Sequence, residues 1–455
     1  MPSPPSRPGV SSLHEGFLQT ALRRFFERAE FSVEPVIVEA GDTGIAVAVG
    51  EEGRLLTVRW LGTLCVLRVS ERRPFSAHEV RMARAIATVL ETRYRAIFNP
   101  HMMAEERELF RGVLEDRYIG AFLEGGHHRS EGDGLADSVA AAIEVLRVAA
   151  LSTYENRSIS TGVLMLGRPY TPRLPPLPDL PSSPYAPPPF ASALTATRSF
   201  YRLADGEQTL FLVDRDNMLI DIIDARRWAR DSGAPPAPHA PVPQTYHAHA
   251  LATANGTDVC VVLGPTQEMK IFAEGTQLFS FHNASWHLLD VQAKYDQWAA
   301  AVDAAPLAEC LFQAALDLAD RREGALFVVL PESGAGADRL IAPADRLDLA
   351  SGRPALVHSS RRDLLYLLTG RSVTDLDPSV LGALASLDGA IVVDRTGRLL
   401  AAGAILRHPP VEEMTWVPEG ARTTAALAAS RYGPVLKVSE DGIITFFDGE
   451  RIWDI

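Results

Sequence analysis

The segment "DGAIVV" places a carboxylate and a glycine at the mouth of an apolar strand. Asp388 ends a polar turn and opens an apolar run, so its oxygens are placed to face a cleft and to bind Mg²⁺. Gly389 has no Cβ, which lets a ligand approach the backbone. The alternative is that Asp-Gly here is only a turn, which is the commoner use of this dipeptide.

The segment "EGARTTAALAAS" combines a glycine, an arginine and hydroxyls at the start of an Ala-rich helix. Gly420 precedes this helix, whose free N–H groups and positive dipole end suit a phosphate. Arg422 adds a bidentate donor, and Thr423 and Thr424 add hydroxyl donors. The alternative is a solvated Arg422 beside a threonine that only caps the helix.

The segment "VLKVSEDG" ends a third strand with polar groups. Ser439 and Glu440 follow the apolar residues and provide a further metal or phosphate contact. These segments need elements that bring them together. The C-terminal third reads as helix, strand, hairpin, helix, strand and hairpin, which predicts a mixed sheet with flanking helices.

A similar order of elements precedes this region. "VVDRTGRLL" corresponds to "LVDRDNMLI", and "ITFFDGERI" corresponds to "MKIFAEGTQL", in the same order and at compatible spacing. We interpret 130–290 as a diverged first copy and 305–455 as a second copy of one duplicated domain.

The C-terminal copy resembles the diadenylate cyclase family, the DisA-type module that condenses two ATP into cyclic di-AMP. The resemblance rests on "GALFVVL", "DGAIVV", "GARTTAA" and "VSEDG", and it covers about the last 150 residues. It implies a metal-binding Asp388, catalytic roles for Asp388, Arg422 and Glu440, and Mg²⁺ or Mn²⁺ with the nucleotide. It also implies nucleotide contacts by the remaining matched residues, which are Gly389, Ala390, Gly420, Thr423, Thr424 and Ser439.

The chain departs from the family pattern at the Arg-His-Arg element. Thr423 and Thr424 replace its histidine and second arginine, which weakens the grip on a triphosphate. The first copy loses more, because Gln208 stands in place of Asp388 and "YHAHALA" replaces the basic element. We therefore predict that this copy does not bind metal-ATP, and that His247 and His249 are surface or packing residues rather than metal ligands.

Length and charge bound the remaining possibilities. A chain of 455 residues should form two to four domains, and a net charge of −13 argues against broad nucleic-acid binding. No apolar run approaches the roughly 20 residues of a membrane helix. Three widely spaced cysteines favour a location in the reducing cytoplasm. We interpret His127–His128 as part of a solvated loop.

The predicted fold is α/β, with two diadenylate cyclase-like domains of mixed sheet and flanking helices behind a small α+β domain. We predict a disordered lead over 1–11, a GAF-like α+β domain over 12–104, a degenerate first copy over 105–300 and the nucleotide-binding copy over 301–455. The Pro-rich segments 169–192 and 231–244 are predicted to be extended insertions in the first copy.

Three functions remain open at this stage. The first is a sensor that binds ATP or cyclic di-AMP, and the second is an active cyclase working as a homodimer. The third is a structural domain without a ligand.

Overall fold

The computed structural model describes most of the chain as a mixed α/β protein. The described residues are 8–37, 43–126, 134–167, 187–233, 240–332, 334–347, 366–407 and 420–455. The predicted loop at His127–His128, residues 1–7 of the predicted lead, and the parts 169–186 and 234–239 of the two Pro-rich segments lie outside them. No helix among the described residues is long and apolar enough to cross a membrane.

The N-terminal part is a four-stranded antiparallel sheet with helices. Its strand order is β1-β4-β3-β2. Its elements are α1 (Pro8–Phe25), β1 (Glu30–Pro35), β2 (Ala46–Gly50), β3 (Leu55–Trp60), β4 (Thr63–Arg68), α2 (Ala77–Ile97) and α3 (Pro100–Glu105). A capping box begins α2: Glu79 N donates to Ser76 Oγ at 3.1 Å, and Ser76 N donates to Glu79 Oε2 at 3.0 Å.

A seven-stranded mixed sheet follows, in the order β13-β12-β11-β10-β7-β8-β9. Its strands are β7 (Thr161–Met165), β8 (Thr209–Val213), β9 (Leu219–Asp224), β10 (Val259–Leu263), β11 (Met269–Ala273), β12 (Thr276–His282) and β13 (Ser285–Leu288). A separate hairpin joins β5 (Thr153–Tyr154) and β6 (Arg157–Ser158). The helices are α4 (Leu114–Glu124), α5 (Leu135–Ala150), α6 (Phe190–Ala196), α7 (Ala225–Asp231) and α8 (His247–Thr253).

The C-terminal part holds a six-stranded mixed sheet in the order β16-β15-β14-β17-β18-β19. Its strands are β14 (Ala325–Leu330), β15 (Ala390–Asp394), β16 (Leu399–Ala404), β17 (Val435–Val438), β18 (Ile444–Phe447) and β19 (Arg451–Asp454). The helices are α9 (Val291–Val302), α10 (Ala305–Asp320), α11 (Ala337–Leu340), α12 (Pro378–Ala385) and α13 (Ala421–Ala429). Strands β14, β15 and β16 are buried throughout, as expected for a sheet covered on both faces.

The two mixed sheets share one strand order over six strands. In each, a central strand pairs in parallel with the next strand along the chain, as β7 does with β8 and β14 with β15. The other neighbour of the central strand is antiparallel, as β10 is to β7 and β17 to β14. Strand β13 is an addition to the first sheet at its edge.

The chain divides into two compact units. Unit 1 is Met1–Pro238 with Ala248–Asp290, and unit 2 is His239–His247 with Val291–Ile455. Within unit 1 one hydrophobic core includes residues of both sheets, such as Trp60 and Phe279. Within unit 2 the segment ending at His247 is tied to α10, because Gln313 Nε2 donates to Val242 O at 2.7 Å.

A charged cluster within unit 1 joins α2 to Glu274 in the turn between β11 and β12 and to Asp290 after β13. His78 Nδ1 lies 2.8 Å from Asp290 Oδ1, and Arg81 donates to Glu274 Oε1 at 2.8 Å. Burial alone would lower the pKa of His78, but the hydrogen bonds with Asp290 and Glu274 raise it to about 9. Burial likewise opposes ionisation of Glu274, yet His78 and Arg81 lower its pKa to about 2.

This cluster predicts a pH window for the stability of unit 1. The contribution of His78 is complete below its ordinary pKa of 6.5 and is lost as the pH rises through about 9. The contribution of Glu274 to stability is complete above its ordinary pKa of 4.5 and is lost as the pH falls through about 2. We expect His78→Gln to reduce the free energy of unfolding by about 2 kcal/mol at pH 6 and by much less above pH 9, measured by urea unfolding.

The matched control is the exposed His101, whose replacement by Gln should change the unfolding free energy little at either pH. Equal losses for His78→Gln at both pH values would show that the charge of this ring does not stabilise the unit.

Candidate functional site

The sheet of unit 2 brings the predicted site segments to one edge. Strands β14 and β15 are parallel, with Phe327 opposite Ile391, so both begin at this edge. Strand β17 is antiparallel to β14, with Ala325 opposite Val438, so β17 ends there. Asp388 stands just before β15, and the Ser439–Glu440 pair stands just after β17. The first and third sequence segments therefore lie at the same edge of the sheet, on either side of β14.

Helix α13 begins at the same edge. Two side-chain contacts join its first turn to β17 and to the residues that follow it: Arg422 NH1 donates to Glu440 Oε1 at 3.3 Å, and Lys437 Nζ donates to Thr423 Oγ1 at 3.2 Å. The helix has no side-chain cap, because its N-cap residue is Gly420. Its first N–H groups therefore lack a capping side chain, and the positive end of its dipole lies beside two cations.

Arg422 owes its position to a glycine. A Cβ on Gly324 would lie 2.1 Å from Arg422 NH1, so only glycine at 324 lets the guanidinium lie against the backbone before β14. The Arg422 side chain is 34% exposed and that of Glu440 is 77% exposed. An exposed pair of this kind stabilises little, so a phosphate can displace Glu440 from the guanidinium at low cost.

Lys437 is a candidate site residue that the sequence prediction missed. It is half-buried in β17, and burial lowers the pKa of its amine, as do the nearby Arg451 and Arg422, while Asp441 opposes them. The available signal was a single lysine inside the apolar run "VLKV". A cation that is unfavourably surrounded in this way favours an anionic ligand.

Gly389 has a structural role that differs from the predicted ligand approach. Its φ is +113°, and a Cβ there would lie 2.4 Å from the carbonyl carbon of Gly403 in β16. The missing Cβ thus accommodates the neighbouring strand. Asp388 before it is exposed, and Ala390 after it is buried in β15.

Two of the predicted hydroxyl ligands are engaged with the backbone. Thr424 is buried, and its Oγ1 donates to Gly420 O at 3.1 Å. Ser439 Oγ contacts the Asp441 carboxylate and donates to Ile443 O at 3.0 Å, which closes the turn before β18. Thr423 alone of the three presents its oxygen toward the cations.

The residues described here do not make a preformed metal cage. Within the described ranges there is no group of three or more His, Cys, Asp or Glu side chains that could hold a metal ion. The exposed carboxylates of Asp388 and Glu440 thus belong to no such group, which does not fit a site that holds Mg²⁺ or Mn²⁺ by protein ligands alone.

The corresponding edge of unit 1 lacks these charges. Val163 and Phe211 pair there as Phe327 and Ile391 do in unit 2, which places Gln208 at the position of Asp388. Val262 lies opposite Gly162 as Lys437 lies opposite Leu326. The strand β10 that contains Val262 is buried throughout.

The two histidines at the basic-element position of the first copy behave differently. His247 is half-buried. His249 is fully buried, with Nε2 2.9 Å from Gly206 O, and burial lowers its pKa to about 4. A neutral, packed His249 agrees with the packing role predicted for it.

Unit 2 also contains a cleft of about 530 Å³ between α10, α12 and the segment before α8. Its lining includes Asp317, Arg321 and Asp377, and Gln244 N donates to Asp317 Oδ1 at 2.6 Å. None of the predicted site residues lines this cleft.

Comparisons with known proteins give no family. No family model and no curated protein matches the chain. Among solved structures it is similar to a hypothetical membrane spanning protein from Bacillus cereus, with 21% identity over 36% of this chain and 70% of that chain, at a TM-score of 0.25. It is also similar to a double mutant of DacA from Staphylococcus aureus, with 22% identity over 33% and 86% of the two chains, at a TM-score of 0.22. TM-scores this low carry no argument about fold or function.

Proposed function

We propose that unit 2 binds an adenine nucleotide or cyclic dinucleotide and serves as a sensor. The observation that carries the proposal is the meeting, at one sheet edge, of the starts of β14, β15 and α13 with the end of β17. The described cations of this edge are Arg422 and Lys437, joined by Glu440 and the Thr423 hydroxyl.

Each group has a role in this proposal. The Arg422 guanidinium exchanges Glu440 for a phosphate, and the N–H groups at the start of α13 donate to the same phosphate. The Thr423 hydroxyl adds a hydrogen bond. Asp388 is exposed at the mouth of the site and is available to a metal that arrives with the phosphates of ATP.

The choice of adenine as the base rests on the resemblance of the segments to the diadenylate cyclase family, since no described contact specifies a base. We further propose that the two mixed sheets descend from one duplicated domain, because six strands share order and direction. The GAF-like character of the N-terminal sheet is part of the same proposal, as is a cytoplasmic location, which the three free cysteines favour.

The residues at the corresponding sheet edges of the two units favour binding without catalysis. Unit 1 has Gln208 and Val262 where unit 2 has Asp388 and Lys437, and unit 2 has lost one guanidinium of the family's basic element. An active diadenylate cyclase that works as a homodimer is the second candidate, because Asp388, Arg422 and Glu440 are all present at one edge.

The proposal is tested by titrating ATP and cyclic di-AMP into the full chain by calorimetry. We expect Arg422→Ala to weaken binding by about 1–3 kcal/mol, or roughly 5- to 150-fold, because it removes a charge-assisted hydrogen bond. The control is Arg431→Ala, which removes an exposed guanidinium just beyond the other end of α13. Equal affinity for the wild type and Arg422→Ala would place the ligand elsewhere or exclude it.

A further inference from the structure

We propose that Lys437 is the second phosphate-binding cation of this site, supplied from strand β17 in place of the basic residue that α13 lacks. The inference rests on the proposed nucleotide function and adds a ligand that the motif segments do not contain. The chemical class of the group bound is a phosphate ester, either a phosphodiester or a phosphate of ATP.

The first support is the position of the amine. Lys437 pairs with Leu326 of β14 and with Thr445 of β18, so it lies near the middle of the six-stranded sheet. Its Nζ reaches Thr423 Oγ1 on α13 at 3.2 Å, next to Arg422 in the sequence. One cation thus comes from the helix and one from the strand, and both reach the first turn of α13.

The second support is the balance of charge around the amine. The charged groups that act on it are Arg422 from α13, Arg451 from β19 and Asp441 from the turn after β17. Arg451 is paired with Asp454, and Arg422 is paired with the largely exposed Glu440. Burial and the two guanidinium groups disfavour the charged amine, whereas a bound phosphate favours it. The fold therefore places the charged amine in an unfavourable environment, which a bound phosphate would make favourable.

The third support is the contrast with unit 1. Val262 occupies the position of Lys437, and its methyl group would lie 3.3 Å from a Cβ on Gly162. Leu210 crowds the same point, with its methyl 2.6 Å from that Cβ. At the position of the cation, unit 1 thus has packed apolar side chains, whereas in unit 2 the amine lies beside a hydroxyl group and near a guanidinium group.

The two cations favour phosphate over other anions for geometric reasons. A guanidinium offers a planar fork to two phosphate oxygens, and an ammonium is a compact point charge that satisfies a third oxygen. The N–H groups of the helix start and the Thr423 hydroxyl complete a set of donors around one tetrahedral group.

The test compares Lys437→Met, Lys437→Arg and Lys437→Val in the full chain, with ATP, cyclic di-AMP and inorganic phosphate as probes. Lys437→Met should weaken the binding of ATP and cyclic di-AMP by roughly 10- to 100-fold, and Lys437→Arg should stay within about threefold of the wild type. Lys437→Val, which copies unit 1, should match Lys437→Met. Lys294→Met in α9 is the matched control and should change nothing.

A second readout follows from the lowered pKa of the amine. At alkaline pH below the ordinary lysine pKa of 10.5, the lowered pKa favours the neutral amine, so the wild type should take up protons on binding. This uptake is seen as a calorimetric heat that depends on the ionisation enthalpy of the buffer. This dependence should disappear in Lys437→Met. The variant should also be at least as stable as the wild type, because it removes a half-buried charge, so lost binding would not reflect lost folding.

The outcomes separate the two proposals. If Lys437→Met binds like the wild type while Arg422→Ala does not, the role of Lys437 is wrong and the nucleotide site remains. If the wild type binds neither ATP nor cyclic di-AMP, the proposed function fails. Binding of inorganic phosphate alone, lost in both variants, would support the phosphate site and reject the nucleotide.

Discussion

Gly389→Ala should destabilise unit 2 by about 3 kcal/mol or more, because the new methyl group meets backbone that cannot move aside. A Cβ at this position would lie 2.4 Å from Gly403 C and 2.8 Å from Ala404 N. The φ of +113° adds strain for any residue with a side chain. Urea unfolding of the full chain, followed through the transition of unit 2, measures the loss.

Gly420→Ala is the matched control. Its φ of +89° is also left-handed, but no atom of the described residues lies within 4 Å of the new Cβ. We expect it to cost only about 1 kcal/mol, from backbone strain alone. Similar losses of unfolding free energy in the two variants would show that the close approach of β16 is not the reason for a glycine at 389.

The second large effect concerns catalysis. Formation of a cyclic dinucleotide needs two ATP molecules that face each other, each 3′-hydroxyl directed at the α-phosphate of the other. On the proposed function, we expect unit 1 not to supply the second site, since it has Gln208 at the position of Asp388 and Val262 at the position of Lys437. We therefore expect any cyclase activity to come from two C-terminal copies on different chains.

We expect a monomeric preparation incubated with ATP and Mg²⁺ or Mn²⁺ to make no cyclic di-AMP. If activity occurs, it should rise with protein concentration and disappear in Asp388→Asn, measured by chromatography of the products. Asp375→Asn, in the turn before α12, is the control for loss of one carboxylate. Product formed by a strictly monomeric preparation would contradict the pairing argument.

The sequence predicted the layout of unit 2 because its strands are apolar runs separated by turn residues. "GALFVVL" and "DGAIVV" correspond to the buried strands β14 and β15, and the Ala-rich run after Gly420 is α13. Strand period and helix signals are local, so they can be recognised without the fold.

The roles of individual side chains could not be predicted in the same way. A glycine is needed at 389 because Gly403 lies against it, and at 324 because Arg422 lies against it. Both contacts join residues that are separated in the chain. Thr424 and Ser439 bond to nearby backbone carbonyls, which competes with any ligand role and depends on the local turn geometry. Lys437 becomes a site residue only because β17 lies beside α13.

The most direct test of the central claim is hydrogen exchange, measured by mass spectrometry of the full chain with saturating ATP or cyclic di-AMP. We expect slower amide exchange in peptides covering 420–424 and 437–440, because the phosphate would bind at the start of α13 and the end of β17. We expect no change in the corresponding peptides of unit 1, 248–253 and 259–264. No protection at 420–424 with either nucleotide, or protection at the unit 1 peptides instead, would contradict it.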